Sequence, residues 1–183
     1  MRCAESGPRC RTGNVSLALR PAADGDARAI AKIHVAGWQA GYRDLIDGAY
    51  LDALSVDARY EIWQRILAGG TGRVLLAEEG SCAQGFIAFG PANDRELPVH
   101  TGEIYALYVD PVRWGRGTGG RLLCEASAEL SRAGRRSAVL WVFEANVRAR
   151  LFYERYGWIV DGTRRTEREN FSLPEIRYRK LLS

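Results

Sequence analysis

The chain has 183 residues and a formal charge of +4, from 26 Lys and Arg against 22 Asp and Glu, with a pI of about 9.0. That length suits one domain with a sizeable core, and no apolar run approaches the roughly eighteen residues of a membrane span. The arginines are scattered along the chain with small clusters at Arg135-Arg136 and Arg164-Arg165, which speaks against a nucleic-acid stripe.

Residues 1–14, MRCAESGPRCRTGN, are polar and basic with no apolar signal region, and read as a flexible extension to a single domain over 15–183. Val15 to Arg20 reads as an opening strand. Asp24 or Asp26 can cap a helix in which Ala27, Ile30, Ala31, His34 and Val35 fall at helical spacing. A second helical region is expected over Trp38 to Leu54, broken at Gly41 and Gly48, and a third over Ser55 to Ala68, ended by Gly69-Gly70. Arg73 to Glu78 and Cys82 to Phe89 form a hairpin through Glu79-Gly80-Ser81, and Pro91 to Thr101 is a polar loop.

Next comes GEIYALYVDPVRWGRGTGGRLL, Gly102 to Leu123, a strand and bend followed by a glycine-rich turn opening into a helix that reaches Arg132. Gly115, Gly117, Gly119 and Gly120 let backbone N–H groups approach a ligand at the positive end of that helix, geometry suited to a phosphate or pyrophosphate. A Walker loop is a poor match, because Arg121 and Leu122 follow Gly120 where Lys and Ser or Thr are required. A dinucleotide fingerprint fits Gly115, Gly117 and Gly120, with Glu144 downstream. However, Asp110 to Trp114 separate it from its strand, and too little chain remains for a doubly wound sheet. A strand over Ala138 to Phe143 leads into a helix at NVRARLFYERYGW, Asn146 to Trp158. Trp158 to Gly162 and Phe171 to Leu181 complete the strands.

Two of these blocks together resemble the GNAT superfamily of N-acetyltransferases. Its Q/R-x-x-G-x-G/A signature falls on Trp114-Gly115-Arg116-Gly117-Thr118-Gly119 after Val109-Asp110-Pro111, with Trp114 in the place of Gln or Arg. Its later N-x-x-A-x-x-F-Y-x-x-x-G-F motif matches Asn146, Ala149, Phe152, Tyr153 and Gly157, with Trp158 in the place of Phe. The resemblance runs from about Val15 onward. It implies an α/β (α+β) fold: a single mixed, mostly antiparallel sheet of about seven strands flanked by helices, with two splayed parallel central strands, here Glu103–Asp110 and Ala138–Phe143. It also implies acetyl-CoA as co-substrate, with no metal.

By the same resemblance, the cofactor is held by Leu107, Tyr108, Val109, Trp114, Gly115, Arg116, Gly117, Thr118, Gly119, Gly120, Asn146 and Tyr153. Main-chain groups of Leu107 to Val109 would bond pantetheine as an added strand does, and Arg113 or Arg116 would bring charge to the phosphates, the alternative for both being solvated charge at the helix entry. Tyr153 is the candidate acid for the departing thiolate, the alternative being a core aromatic in the stripe of Ala149, Phe152 and Tyr156. Glu103 is the candidate base, directly or through a water, the alternative being a solvated strand-end carboxylate. Strand alternation puts Glu103 on the side of Tyr105 and Leu107 unless a bulge intervenes. His100, Tyr105 and Glu144 are weaker candidates. Trp38 and Tyr42 are the candidate acceptor residues, and Tyr50, Trp63, Asp44, Asp47 and the Asp94–Glu96 pair lie in the same regions; the alternative for each aromatic is a core side chain.

The expected activity is acetyl transfer from acetyl-CoA to a primary amine of a small molecule or peptide, by direct attack in a ternary complex. The alternative is a non-catalytic acyl-CoA-binding regulatory module. No nucleic-acid or membrane partner is expected, and a homodimer is an option that the resemblance leaves open. Cys3, Cys10, Cys82 and Cys124 form no C-x-x-C pair, and with only His34 and His100 beside them a zinc site is not expected. Reduced thiols in a cytoplasmic protein are the default reading.

Overall fold

The computed structural model describes residues 16–69, 72–94, 96–166 and 173–182. The extension expected over 1–14 lies outside the described residues, as do Val15 and residues 171–172, where the first and last expected strands begin. Strands β1 (Ala18–Pro21), β2 (Arg73–Glu79), β3 (Cys82–Pro91), β4 (Thr101–Val109), β5 (Ser137–Phe143), β6 (Ile159–Thr166) and β7 (Pro174–Leu181) form one sheet in the order β1-β2-β3-β4-β5-β7-β6. Only β4 and β5 run parallel; the other neighbours are antiparallel. The helices are α1 (Ala27–Gly41), α2 (Gly48–Asp52), α3 (Val56–Gly69), α4 (Thr118–Arg132) and α5 (Val147–Arg155). A mixed, mostly antiparallel seven-stranded sheet with a parallel middle pair is therefore the fold.

Some boundaries differ from the sequence expectation. Helix α1 runs through Trp38 to Gly41, because Trp38 lies one turn beyond His34 and its ring stays against the His34 and Tyr42 rings, at 6.2 and 5.0 Å between centroids. Of the second helical region only α2 remains, capped by Asp47, whose Oδ1 accepts the Tyr50 N–H at 3.1 Å. Strand β6 extends to Thr166, past Gly162, because its register with β7 slips between Val160 and Arg164 and pairing then resumes.

The two sheet faces bury separate apolar layers. Leu75, Ile87, Phe89, Ile104, Ala138, Leu140, Ile176 and Tyr178 point to the side where α4 lays down Leu122, Leu123, Ala126 and Leu130. Val74, Leu76, Phe86 and Ala88 point to the other side, against Ile30, Ala31 and Ile33 of α1 and Trp63 of α3. The 3.6-residue spacing of the helical apolar positions and the two-residue spacing in the strands account for both layers. Cys124 is free and exposed on α4. Cys82, for which a reduced thiol was the default, is disulfide-bonded. No helix among the described residues is long and apolar enough to cross a membrane.

Candidate active site

The parallel pairing of β4 with β5 covers only Thr101–Ile104 against Ser137–Leu140. Beyond it β4 continues to Val109 and β5 to Phe143 with no ladder between them, so the sheet opens. The Asp110 N–H donates to Gln84 O at 2.9 Å on the β3 side. Because an antiparallel strand alternates its hydrogen-bonding edge, Leu107 and Val109 turn their main-chain groups toward the opening. One of these, the Val109 carbonyl, accepts the Trp114 indole N–H at 2.9 Å. The Leu107 pair and the Val109 N–H remain directed at the gap.

The chain leaves β4 through a single 3-10 turn, Pro111–Arg113, started by Asp110, whose carboxylate accepts the Val112 N–H at 3.2 Å. Gly115 and Gly117 then take φ of +77° and +84°, left-handed conformations that side chains with a Cβ rarely adopt. Helix α4 follows at once, and Arg121 N–H reaches back to Gly117 O at 3.1 Å. The N–H groups of Thr118, Gly119 and Gly120 thus have no helical carbonyl, no side chain caps them, and no acidic residue sits in that turn. They form the positive end of a fifteen-residue helix and border the opening. A Cβ on Gly120 would stand 1.8 Å from Tyr156 Oη, so glycine here lets α5 close against α4.

Helix α5 is capped by Asn146, whose Oδ1 accepts the Ala149 N–H at 3.1 Å, leaving the amide nitrogen for the cavity that Asn146 lines. Tyr153, two turns on, lines the same cavity. Exclusion of water, with Tyr108 nearby, pushes its hydroxyl well above the usual tyrosine value. It therefore carries its proton at neutral pH.

Strand β4 carries a bulge: Ala88 pairs with Ala106 and Phe89 with Ile104, which leaves Tyr105 as the extra residue. Tyr105, Ala106 and Tyr108 face the α1–α3 side, while Ile104, Leu107 and Val109 face α4. Glu103 therefore shares a side with Tyr105 and Tyr108, and the expected companionship with Leu107 is broken by the bulge. Its carboxylate is buried, and Oε2 accepts the Asn93 N–H at 2.8 Å. Burial and the Glu103 charge push Tyr105 up to about 12, and its hydroxyl donates to the Pro91 carbonyl.

The cavity around these groups measures about 760 Å³. Tyr42 enters it from the end of α1, with its ring edge-on to Trp38 at 5.0 Å and to Phe143 at 5.2 Å. Its hydroxyl oxygen lies 3.4 Å from that of Tyr108. His34 stacks on Tyr108 at 4.5 Å, and its Nδ1 accepts the Trp63 indole N–H at 3.1 Å. Burial, helped by the Arg59 charge, pushes His34 down to about 3, so it is a neutral ring at working pH. From β7, Glu175 reaches the cavity paired to Arg165 at 2.6 Å, and the Arg165 guanidinium lies 3.9 Å over the Trp141 ring.

Residues 38–158 match the acetyltransferase (GNAT) family model. The chain belongs to that family. Its sequence is 30% identical over 167 residues to the uncharacterized N-acetyltransferase YuaI of Bacillus subtilis, covering 90% of each chain. Its fold is similar to that of the PaiA N-acetyltransferase of Thermoplasma acidophilum in complex with coenzyme A, with a TM-score of 0.70 and 20% identity over 88% of this chain and 98% of the other. It is also similar to YncA of Salmonella typhimurium with its cofactor acetyl-CoA, at 0.69 and 21% over 91% and 94%.

In this GNAT acetyltransferase most residues singled out by sequence converge on the one cavity. Trp38, Tyr42, Tyr50, Glu103, Tyr105, Leu107, Tyr108, Val109, Trp114, Gly115, Gly117, Thr118, Gly119, Gly120, Asn146 and Tyr153 all line it. Arg116 and His100 are exposed and do not line it, Trp63 is buried beneath it, and Glu144 is paired to Arg164 at 2.7 Å outside it. Arg113 lines it but is tied to Glu79 at 3.3 Å. The sequence reading missed Arg148, whose guanidinium lies 3.4 Å over the Trp114 ring, and the Arg165–Glu175 pair. For Glu175 a signal exists, since Glu175, Arg177 and Arg179 alternate with Ile176, Tyr178 and Lys180 along one strand. For Arg148 there is none, because its partner Trp114 lies in the turn before α4, far back in the chain. Among the described residues no group of three His, Cys, Asp or Glu is placed to hold a metal.

Proposed function

We propose that this chain transfers the acetyl group of acetyl-CoA to a primary amine by direct attack within a ternary complex. The observation that carries the reading is the opened β4–β5 edge beside the uncapped first turn of α4. The first offers pantetheine a strand to pair with, and the second offers its diphosphate a cluster of N–H donors. Arg148, held on Trp114, supplies a cation at the glycine turn, in a chain whose signature position carries an aromatic ring.

Each chemical need then has a residue. The amine must lose a proton before its lone pair can attack, and buried Glu103 on the acceptor side takes it, directly or through one water. The new N–C bond pushes the carbonyl π pair onto oxygen, an oxyanion facing the Leu107 N–H, and the C–S bond breaks as that pair returns to re-form the carbonyl. Tyr153, still protonated at neutral pH, gives its proton to the departing sulfur. Trp38 and Tyr42 shape the acceptor side, and their faces favour a cationic amine before it is deprotonated.

The test is a panel of primary amines incubated with acetyl-CoA and the purified chain, with thiol release followed by a colorimetric reagent. Amine-dependent release supports transfer. Coenzyme A binding with no release from any amine would leave a binding module and remove the catalytic roles of Tyr153 and Glu103.

A further inference from the structure

Arg59 projects from the first turn of α3 to the place where the main cavity meets a second one of about 340 Å³, and it lines both. Among the described residues its side chain has no hydrogen bond and no ion pair. Its neighbour Asp57 is taken by Arg28 at 2.5 Å. The cavity carboxylates are taken as well, Glu103 by the Asn93 N–H and Glu175 by Arg165. A half-buried guanidinium presents five N–H donors in a planar fork that matches a carboxylate, and this one has been left without its match. Its charge is close enough to bear on both Tyr108 and His34, which places it on the acceptor side of the tyrosine pair. Asn93 also lines both cavities, and its N–H donates to Glu103, which lines the main one.

We infer that the acceptor is an amine that also bears a carboxylate, as an amino acid does, with the carboxylate held by Arg59 while the amine lies toward Glu103. This rests on the transferase reading above and adds the substrate class. The charges run in the right order for such a molecule. The unmatched cation lies toward α3, and the carboxylate that would receive the ammonium proton lies on β4.

The test compares kcat/KM for each of several amino acids with that for its carboxamide, which keeps the amine and removes the negative charge. The ratio is then remeasured in Arg59→Gln and Arg59→Lys, so that the difference in amine basicity between acid and amide cancels. The acid-to-amide ratio is expected to fall about ten- to hundredfold in Arg59→Gln, the scale of losing a charge-assisted pair, and to recover in part in Arg59→Lys. Independently of any variant, the desamino analogue of a good acceptor should inhibit wild type competitively against that acceptor. Coenzyme A affinity and the melting temperature report on whether each variant is folded. A ratio that stays the same in Arg59→Gln, or a wild type that turns over carboxamides at least as well as acids and is not inhibited by the desamino analogue, overturns the inference. Thiol release from no amine at all, with coenzyme A still bound, overturns the transferase reading beneath it.

Discussion

The hydroxyl oxygens of Tyr42 and Tyr108 lie 3.4 Å apart, joining the end of α1 to the strand that borders the opening in the sheet. Sixty-six residues separate them in the chain. Burial pushes both hydroxyls above the usual tyrosine value, so both keep their protons and the contact is a neutral hydrogen bond. It ties the element carrying Trp38 and Tyr42 to the strand carrying Glu103, and so joins two walls of the cavity.

Tyr153→Phe is expected to lower kcat about 10²-fold, the scale of one general acid, with little change in the KM for acetyl-CoA. The ring still packs between Phe152 and Trp158, so the melting temperature should hold. Steady-state kinetics across pH decides it, and full activity at every pH would remove Tyr153 from the acid role.

Glu103→Gln keeps the size of the side chain and an oxygen for the Asn93 N–H, but cannot accept the amine proton. We expect a kcat about 10²-fold lower at neutral pH, with the gap narrowing at high pH, where the amine is already neutral in solution. A pH-independent deficit would point to a purely structural part for this carboxylate.

Gly120→Ala places a methyl group 1.8 Å from Tyr156 Oη, so α5 must move away from α4. Overpacking of this kind costs about 1–3 kcal/mol, measurable by urea denaturation. The same change in a Tyr156→Leu background should cost clearly less, because the two positions share one space. Equal costs in both backgrounds would show that the two helices do not meet there.

His34 makes stability depend on pH. Its folded pKa of about 3 lies below the ordinary 6.5, because burial disfavours the charged ring. Between these values the unfolded chain binds a proton that the folded one does not, so stability falls as pH drops from about 6.5 toward 3, by at most about 1.4 kcal/mol per pH unit. Thermal melts at pH 7, 6 and 5 on wild type and His34→Asn, which keeps an acceptor for Trp63, should show a shallower slope in the variant. Parallel slopes would show that His34 titrates normally.

Much of the fold was legible because its signals are local. Gly115 to Gly120 demand a turn that only backbone can line, and the spacing of Leu122, Leu123, Ala126 and Leu130 marks a buried helix face. Asn146 and Tyr153 are spaced two helical turns apart, which puts both on the cavity side of α5. Helix ends were less legible: Trp38, expected to open a second helical region, continues α1 to Gly41, because an aromatic side chain finds its partners through packing and not through propensity.

From the sequence alone came the element order, the glycine-rich turn before α4, the α5 motif and the family. Residues within a turn or a strand of each other are constrained by backbone geometry, which spacing reveals. The tertiary structure alone decided that a bulge at Tyr105 turns Glu103 toward Tyr108. It also decided that Arg148 lies on Trp114, that Arg165 claims Glu175, and that Arg59 lines two cavities with no ion pair among the described residues. Those contacts join distant parts of the chain, and they exist only once the whole sheet has brought its two faces and their helices into register.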